Sequence, residues 1–267
     1  MITILTAILG LYIAICLLMY LFQERLIFLP QKLSADYNFV FHNTFEEVIV
    51  RTSDNQKLHG LLFKANNPKG LIFYLHGNAG SVAGWGDVAE VYTPLGYDVF
   101  LLDYRGYGKS EGNITSEQQI HEDVQRAYEA MLERYSENMI IVLGYSIGTG
   151  SATRLAATND PGMLILQAPF YSLPDVARKL FPFVPGFLVK YKFDNASNLK
   201  ACKMQVIILH GDADEVIDSK SSEKLKPFLK QGDRRIVLPG VGHNGMTFNE
   251  QYVREITTIL NRHGDHR

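Results

Sequence analysis

Cysteine is almost absent from this 267-residue chain: Cys16 and Cys202 are the whole complement. Two residues that far apart, one of them inside an apolar run, do not make a disulfide framework, and neither stands at metal-ligand spacing. No metal and no organic cofactor is expected. An excess of one charge is also missing. Lys and Arg number 26 against 28 Asp and Glu, a formal charge of −2, so there is no basic footprint for nucleic acid. Internal repeats and low-complexity stretches are lacking, which leaves one globular domain as the expectation for this length. Finally, no Lys or Arg precedes Arg25. A cleaved secretory signal needs a basic leading segment and a small-residue cleavage site, and Leu18-Met19-Tyr20-Leu21-Phe22 closes the first segment instead.

That first segment is the one long hydrophobic run. Ile2 to Phe22 is broken only by Thr3 and Thr6. As a helix rising about 1.5 Å per residue it spans roughly the ~30 Å hydrocarbon core of a bilayer. A buried core helix would carry one polar face, and this run has none. It predicts an uncleaved single-pass membrane anchor over residues 1–22. Arg25 and Lys32 follow the run, which leans the orientation toward a cytoplasmic catalytic domain. Gln23 to Ser34 reads as a short amphipathic connector that rests on the membrane or on the domain, with the connecting region extending to residue 44.

From Phe45 the rhythm changes. Glu47–Arg51 and Leu58–Lys64 read as two strands of a hairpin around Thr52-Ser53-Asp54-Asn55-Gln56. Apolar runs then alternate with helical patterns: Leu71–Leu75, Val99–Leu102, Ile140–Leu143, Met163–Leu166, Val206–Leu209 and Ile236–Leu238. The clearest helix is Ser116 to Tyr135, opened by a Ser116/Gln119 capping box and carrying apolar residues at a 3.6-residue period. Buried strands alternating with helices predict an α/β domain over residues 45–267, with a mostly parallel sheet of about eight strands covered on both faces. In such sheets ligands bind beyond the carboxyl ends of the strands, so chemical residues should directly follow the apolar runs.

They do. Gly144-Tyr145-Ser146-Ile147-Gly148 is a G-x-S-x-G pentapeptide between a strand and a helix, the setting of a nucleophile elbow. His210-Gly211-Asp212-Ala213-Asp214-Glu215 follows the Val206–Leu209 run and offers a carboxylate to orient an imidazole. Asp214 has the reach expected a few positions past the strand; Asp212 and Glu215 are the alternatives. Of the eight histidines only His243, His263 and His266 come after it, and the last two fall in a charged tail expected to fray. His243 lies on the loop Gly240-Val241-Gly242-His243-Asn244-Gly245 and is the candidate base. The oxyanion donors are expected from Ile147 and from the loop His76-Gly77-Asn78-Ala79-Gly80, at Asn78 or alternatively Ala79. His76 and His210 read as loop-holding hydrogen-bonders. Asp103-Tyr104-Arg105-Gly106-Tyr107-Gly108-Lys109-Ser110 lacks a nucleotide-binding spacing and reads as a turn tied by Asp103 and Arg105.

These five ordered motifs resemble the α/β-hydrolase superfamily, and most closely its membrane-anchored abhydrolase-domain branch of serine hydrolases. The resemblance covers roughly residues 45–262 together with the N-terminal anchor. It implies that Asp214 is the triad acid, with Ser146 and His243 completing the set. It also implies an ester or thioester as the bond cleaved and no cofactor. Between Gln167 and Cys202 the strand rhythm breaks, and Phe181-Pro182-Phe183-Val184-Pro185-Gly186-Phe187-Leu188 crowds aromatics and prolines together. A small lid insertion is expected at about 170–200, and an apolar lid with an anchor favours acylated or lipid-like substrates over other small molecules. A serine peptidase of the same fold and a non-catalytic interaction protein are the competing expectations.

Overall fold

The structure is a computed structural model that describes residues 2–265. The strands are β1 (Phe45–Arg51), β2 (Lys57–Phe63), β3 (Gly70–Leu75), β4 (Tyr97–Leu102), β5 (Ile140–Tyr145), β6 (Met163–Gln167), β7 (Gln205–Gly211) and β8 (Arg234–Leu238). They form one sheet in the order β1-β2-β4-β3-β5-β6-β7-β8. The first three in that order pair antiparallel and the rest are parallel. The α/β-hydrolase fold, with eight strands and helices on both faces, is therefore the fold of the chain.

The helices are α1 (Ile2–Leu21), α2 (Gln23–Ile27), α3 (Val82–Trp85), α4 (Ala89–Tyr92), α5 (Glu117–Leu132), α6 (Gly148–Thr158), α7 (Leu173–Leu180), α8 (Asn195–Leu199), α9 (Lys220–Glu223) and α10 (Glu250–Asp265). The continuous apolar runs are explained by two cores, one on each face of the sheet. In β3, Leu71, Phe73 and Leu75 point to the side covered by α5, α6 and α8, while Ile72 and Tyr74 point to the side of α4 and α10. β7 divides in the same way, Val206 and Ile208 against Ile207 and Leu209. A strand buried on both faces has no polar alternate residue to show, which is why these runs read as unbroken. The Ser116 hydroxyl caps α5 by accepting the Gln119 N–H at 3.1 Å. In return Gln119 Oε1 accepts the Thr115 N–H (2.9 Å), one residue earlier than a capping box places it.

The segment after α1 packs on the domain. Phe28 is buried edge-on against Tyr191. Residues 29–33 then run across two strand-end loops: Gln31 N–H donates to Gly80 O (2.8 Å), Gly80 N–H to Leu29 O (3.2 Å), Leu33 N–H to Gly108 O (2.9 Å) and Gly108 N–H to Gln31 O (2.8 Å). The insertion after β6 holds α7, a turn at Gly186–Leu188 and α8.

Candidate active site

β5 runs directly into Ser146, whose φ of +52° lies in the left-handed region that side chains other than glycine's avoid. The turn is held from both sides. Ser146 N–H donates to Gln167 O at the end of β6 (2.9 Å), and Thr149 returns its hydroxyl to Ser146 O (2.6 Å). The flanking glycines are steric requirements. A Cβ on Gly148 would sit 2.1 Å from Leu75 O, and one on Gly144 would sit 2.6 Å from the Ala152 Cβ. Only without those atoms can α6 start close enough to the sheet to lift the serine out of it.

His243 Nε2 lies 3.1 Å from Ser146 Oγ, and its Nδ1 lies 2.7 Å from Asp214 Oδ2. A carboxylate can only accept, so Nδ1 carries the proton and Nε2 is the lone pair facing the serine hydroxyl. The structure thus brings Ser146, His243 and Asp214 into one hydrogen-bonded line. The other two carboxylates of the loop have different partners. Glu215 accepts the backbone N–H of His243 (3.3 Å), and Asp212 accepts that of Gly240 (2.6 Å). All three bond the His243 loop, but only Asp214 meets the imidazole. The ring is further held by Tyr145, which stacks on it at 5.4 Å and donates its hydroxyl to the His243 carbonyl.

Asp214 is buried. Burial alone would raise its carboxyl, but hydrogen bonds from His210, His243 and the Ile217 N–H outweigh it and hold the group well below the usual carboxylate range. Its Oδ1 accepts the N–H groups of Val216 (2.9 Å) and Ile217 (2.7 Å). His210 Nε2 stands 2.7 Å from Ile217 O and 3.2 Å from Asp214 Oδ2, so this histidine staples the acid loop. His76 holds its own loop, with Nδ1 on Gly77 O at 2.7 Å. Burial lowers its pKa despite the opposing charge of Asp103, which keeps it neutral. His263 sits in the last turn of α10, so at that position the frayed tail expected from sequence gives way to helix; His266 lies outside the described residues.

On the other side of Ser146, Asn78 and Ile147 line the same cavity. The Asn78 side chain is fully engaged. Its Oδ1 accepts from Ala79 N–H (2.8 Å), Leu29 N–H (3.1 Å) and the Tyr107 hydroxyl (3.1 Å), and its Nδ2 donates to Ile27 O (2.6 Å). The Ala79 amide is therefore occupied, whereas among the described residues no acceptor faces the N–H of Asn78 or of Ile147. The loop carrying Arg105 is a structural knot. The guanidinium, 5% exposed, grips Asp123 (2.5 and 2.9 Å) and Asp54 (2.7 and 2.6 Å). Asp103 Oδ1 accepts the Val82 N–H at 2.8 Å.

Ser146 opens into a cavity of about 360 Å³. Leu173, Val176, Ala177, Leu180, Phe181 and Val184 of the insertion form one wall. The opposite wall was not legible in the sequence: it is Met19 and Tyr20 of α1 with Gln23, Leu26 and Ile27 of α2. The only available signal was Gln23, a polar residue placed directly after an apolar run.

Residues 66–199, half of the chain, match the family described as Hydrolase_4: Serine aminopeptidase, S33. The chain belongs to the α/β-hydrolase superfamily. This α/β-hydrolase is 28% identical over 242 residues to human alpha/beta hydrolase domain-containing protein 17B, covering 88% of this chain and 81% of that protein. It is 29% identical over 233 residues to Protein bem46 of Schizosaccharomyces pombe, covering 82% and 78%. It is 33% identical over 176 residues to the lysophosphatidylserine lipase ABHD12 of Gallus gallus, covering 58% of this chain and 46% of that protein. Among solved structures, the Pyrococcus furiosus esterase Pf2001 superposes with a TM-score of 0.70 at 20% identity, covering 88% of this chain and 97% of that one, a likeness of fold. The family, with a hydrolase-domain protein and a lipase among the relatives, supports hydrolase activity for this chain.

Proposed function

We propose that the chain is a membrane-anchored serine hydrolase that cleaves a carboxylic ester or thioester, with acylated or lipid-like substrates favoured. The observation that carries this is the Asp214–His243–Ser146 line opening on an apolar cavity beside two backbone N–H groups without acceptors. In this reading Ser146 attacks the substrate carbonyl while His243 Nε2 takes its proton, and Asp214 stabilises the imidazolium. The oxyanion is held by the N–H groups of Asn78 and Ile147; one such donor is worth about 2.7–4 kcal/mol in the transition state. His243 then protonates the leaving alcohol or thiol, and water resolves the acyl-enzyme by the same proton path. In this reading the 20-residue helix α1 is the membrane span, and Arg25 and Lys32 after it lean the domain toward the cytoplasmic face.

The family description favours a second reading, an aminopeptidase. Such an enzyme needs a carboxylate near the serine for the substrate's ammonium group, and no Asp or Glu lines this cavity. Fluorophosphonate labelling combined with matched panels of acyl esters, thioesters and aminoacyl amides tests the proposal. Labelling that disappears in Ser146→Ala, with esters or thioesters turned over, is the expected result. Turnover of amides alone would establish the peptidase, labelling and hydrolysis unchanged in Ser146→Ala would remove the site assignment, and a parent chain with neither labelling nor turnover would leave the interaction protein.

A further inference from the structure

The insertion carries an uncharged stretch of ten residues, Leu180 to Val189, bounded by Lys179 and Lys190. Leu180, Phe181, Phe183 and Phe187 are exposed, Phe187 at 80% of its surface. This patch is continuous with α1. Lys190 lies level with the end of the helix: its Nζ sits 4.6 Å over the Tyr20 ring and 3.3 Å from Glu24 Oε1. Gln23 fixes the same level, donating to Leu188 O (2.7 Å) and accepting the Lys190 N–H (2.9 Å). Two turns deeper, the Tyr12 hydroxyl donates to Phe183 O at 2.9 Å. Eight residues of helix separate Tyr12 from Tyr20, so Phe183 lies about 12 Å further along the span, within a hydrocarbon leaflet about 15 Å deep.

The backbone of this stretch suits that environment. Pro182 and Pro185 have no N–H to satisfy. Phe181, Val184, Leu188 and Val189 donate to Ala177, Phe181, Pro185 and Gly186 carbonyls within the lid itself. The Phe183 and Leu188 carbonyls are taken by the side chains of Tyr12 and Gln23. Irregular backbone is tolerated at membrane depth only where its polar groups are matched, and among the described residues the N–H groups of Phe183, Gly186 and Phe187 are the exceptions in this loop, with no protein acceptor.

We infer that the loop 180–189 is embedded in the same bilayer leaflet as the C-terminal half of α1, its exposed Leu and Phe side chains packed against lipid tails. Resting on the proposed hydrolase reading, this also names the substrate class. The cavity lies between this loop and α1, so the acyl chain of a bilayer-resident amphiphile enters sideways from the leaflet, with its ester at the headgroup level beside Ser146.

The test uses the full chain in phosphatidylcholine nanodiscs. Phe183→Trp and Phe187→Trp are each compared with the parent, whose single Trp85 supplies the background emission. The added emission should be quenched at least threefold more by lipids brominated on the acyl chains than by aqueous iodide. Quenching by iodide alone would overturn the embedding. In parallel, Phe183→Asp/Phe187→Asp, whose side chains lie outside the cavity wall, should lose at least tenfold in hydrolysis of a long-chain ester carried in vesicles while keeping the parent rate on soluble p-nitrophenyl acetate. Equal rates on both substrates would overturn lateral access. If the parent hydrolyses neither ester while the bromine quenching is present, the hydrolase reading fails and the embedded loop stands.

Discussion

Asp214 is the residue whose chemistry is most constrained. It serves His243 on one oxygen, two backbone N–H groups on the other, and lies beside His210. Asp214→Asn keeps the shape but allows the imidazole the wrong tautomer, so kcat on a p-nitrophenyl ester should fall by about 10³–10⁴-fold with little change in KM. The same substitution has a pH signature. A carboxyl held below its unfolded value of about 3.9 contributes stability that is present above that pH and lost as pH falls toward its folded value. Thermal melts below about pH 4 should therefore drop more steeply for the parent than for Asp214→Asn. Asn78 offers a second test. Asn78→Ala keeps the proposed oxyanion donor, its backbone N–H, but releases Ile27, Leu29 and Ala79 from its side chain. kcat should fall roughly tenfold or more by displacement of that donor, an amount measurable by steady-state kinetics with KM nearly constant. At this scale the sequence order of Ser146, Asp214 and His243 was readable because each directly follows an apolar run. The choice among Asp212, Asp214 and Glu215 rests on loop geometry, which spacing does not encode, and the Asn78 side-chain clamp joins residues about fifty positions apart.

Among the elements, the strands and α5 were legible because burial on two faces and a 3.6-residue period leave direct marks in composition. Helix α1 was legible only as a long apolar helix, a candidate span. A helix apolar all round announces no preferred face, so the packing of Tyr12, Met19 and Tyr20 toward the insertion had no hydrophobic signature. That contact is set by partners some 170 residues away. The turn after β4 depends on Arg105. Burial pushes the Asp123 carboxyl up even with this guanidinium bound to it. Arg105→Ala would strand that carboxyl in the interior, at a cost of about 3–5 kcal/mol. Differential scanning calorimetry should show a melting temperature lowered by on the order of 10 °C.

For the molecule as a whole, the cavity between the insertion and α1 makes chain length the decisive variable for the proposed activity. Each methylene that leaves water for the cavity contributes about 0.8 kcal/mol, or about fourfold in kcat/KM, until the space is filled. Rates on p-nitrophenyl esters from acetate upward should rise by that factor and then level off; a monotonic preference for acetate would remove the lipid-like reading. Deleting Ile2–Leu21 removes Met19 and Tyr20 from the wall, so the truncated chain should show a shallower slope. One further consequence follows from the short path between α1 and the domain. The helix ends at Leu21, and Gln23 already bonds the lid through Leu188 and Lys190. With no slack in this link, an α1 that spans the bilayer as proposed would fix the serine at one height, where it meets only molecules diffusing in two dimensions around it. Turnover should then follow the mole fraction of substrate in the membrane: adding inert lipid at constant total substrate slows the reaction, while diluting the same vesicles with buffer leaves the rate per enzyme unchanged.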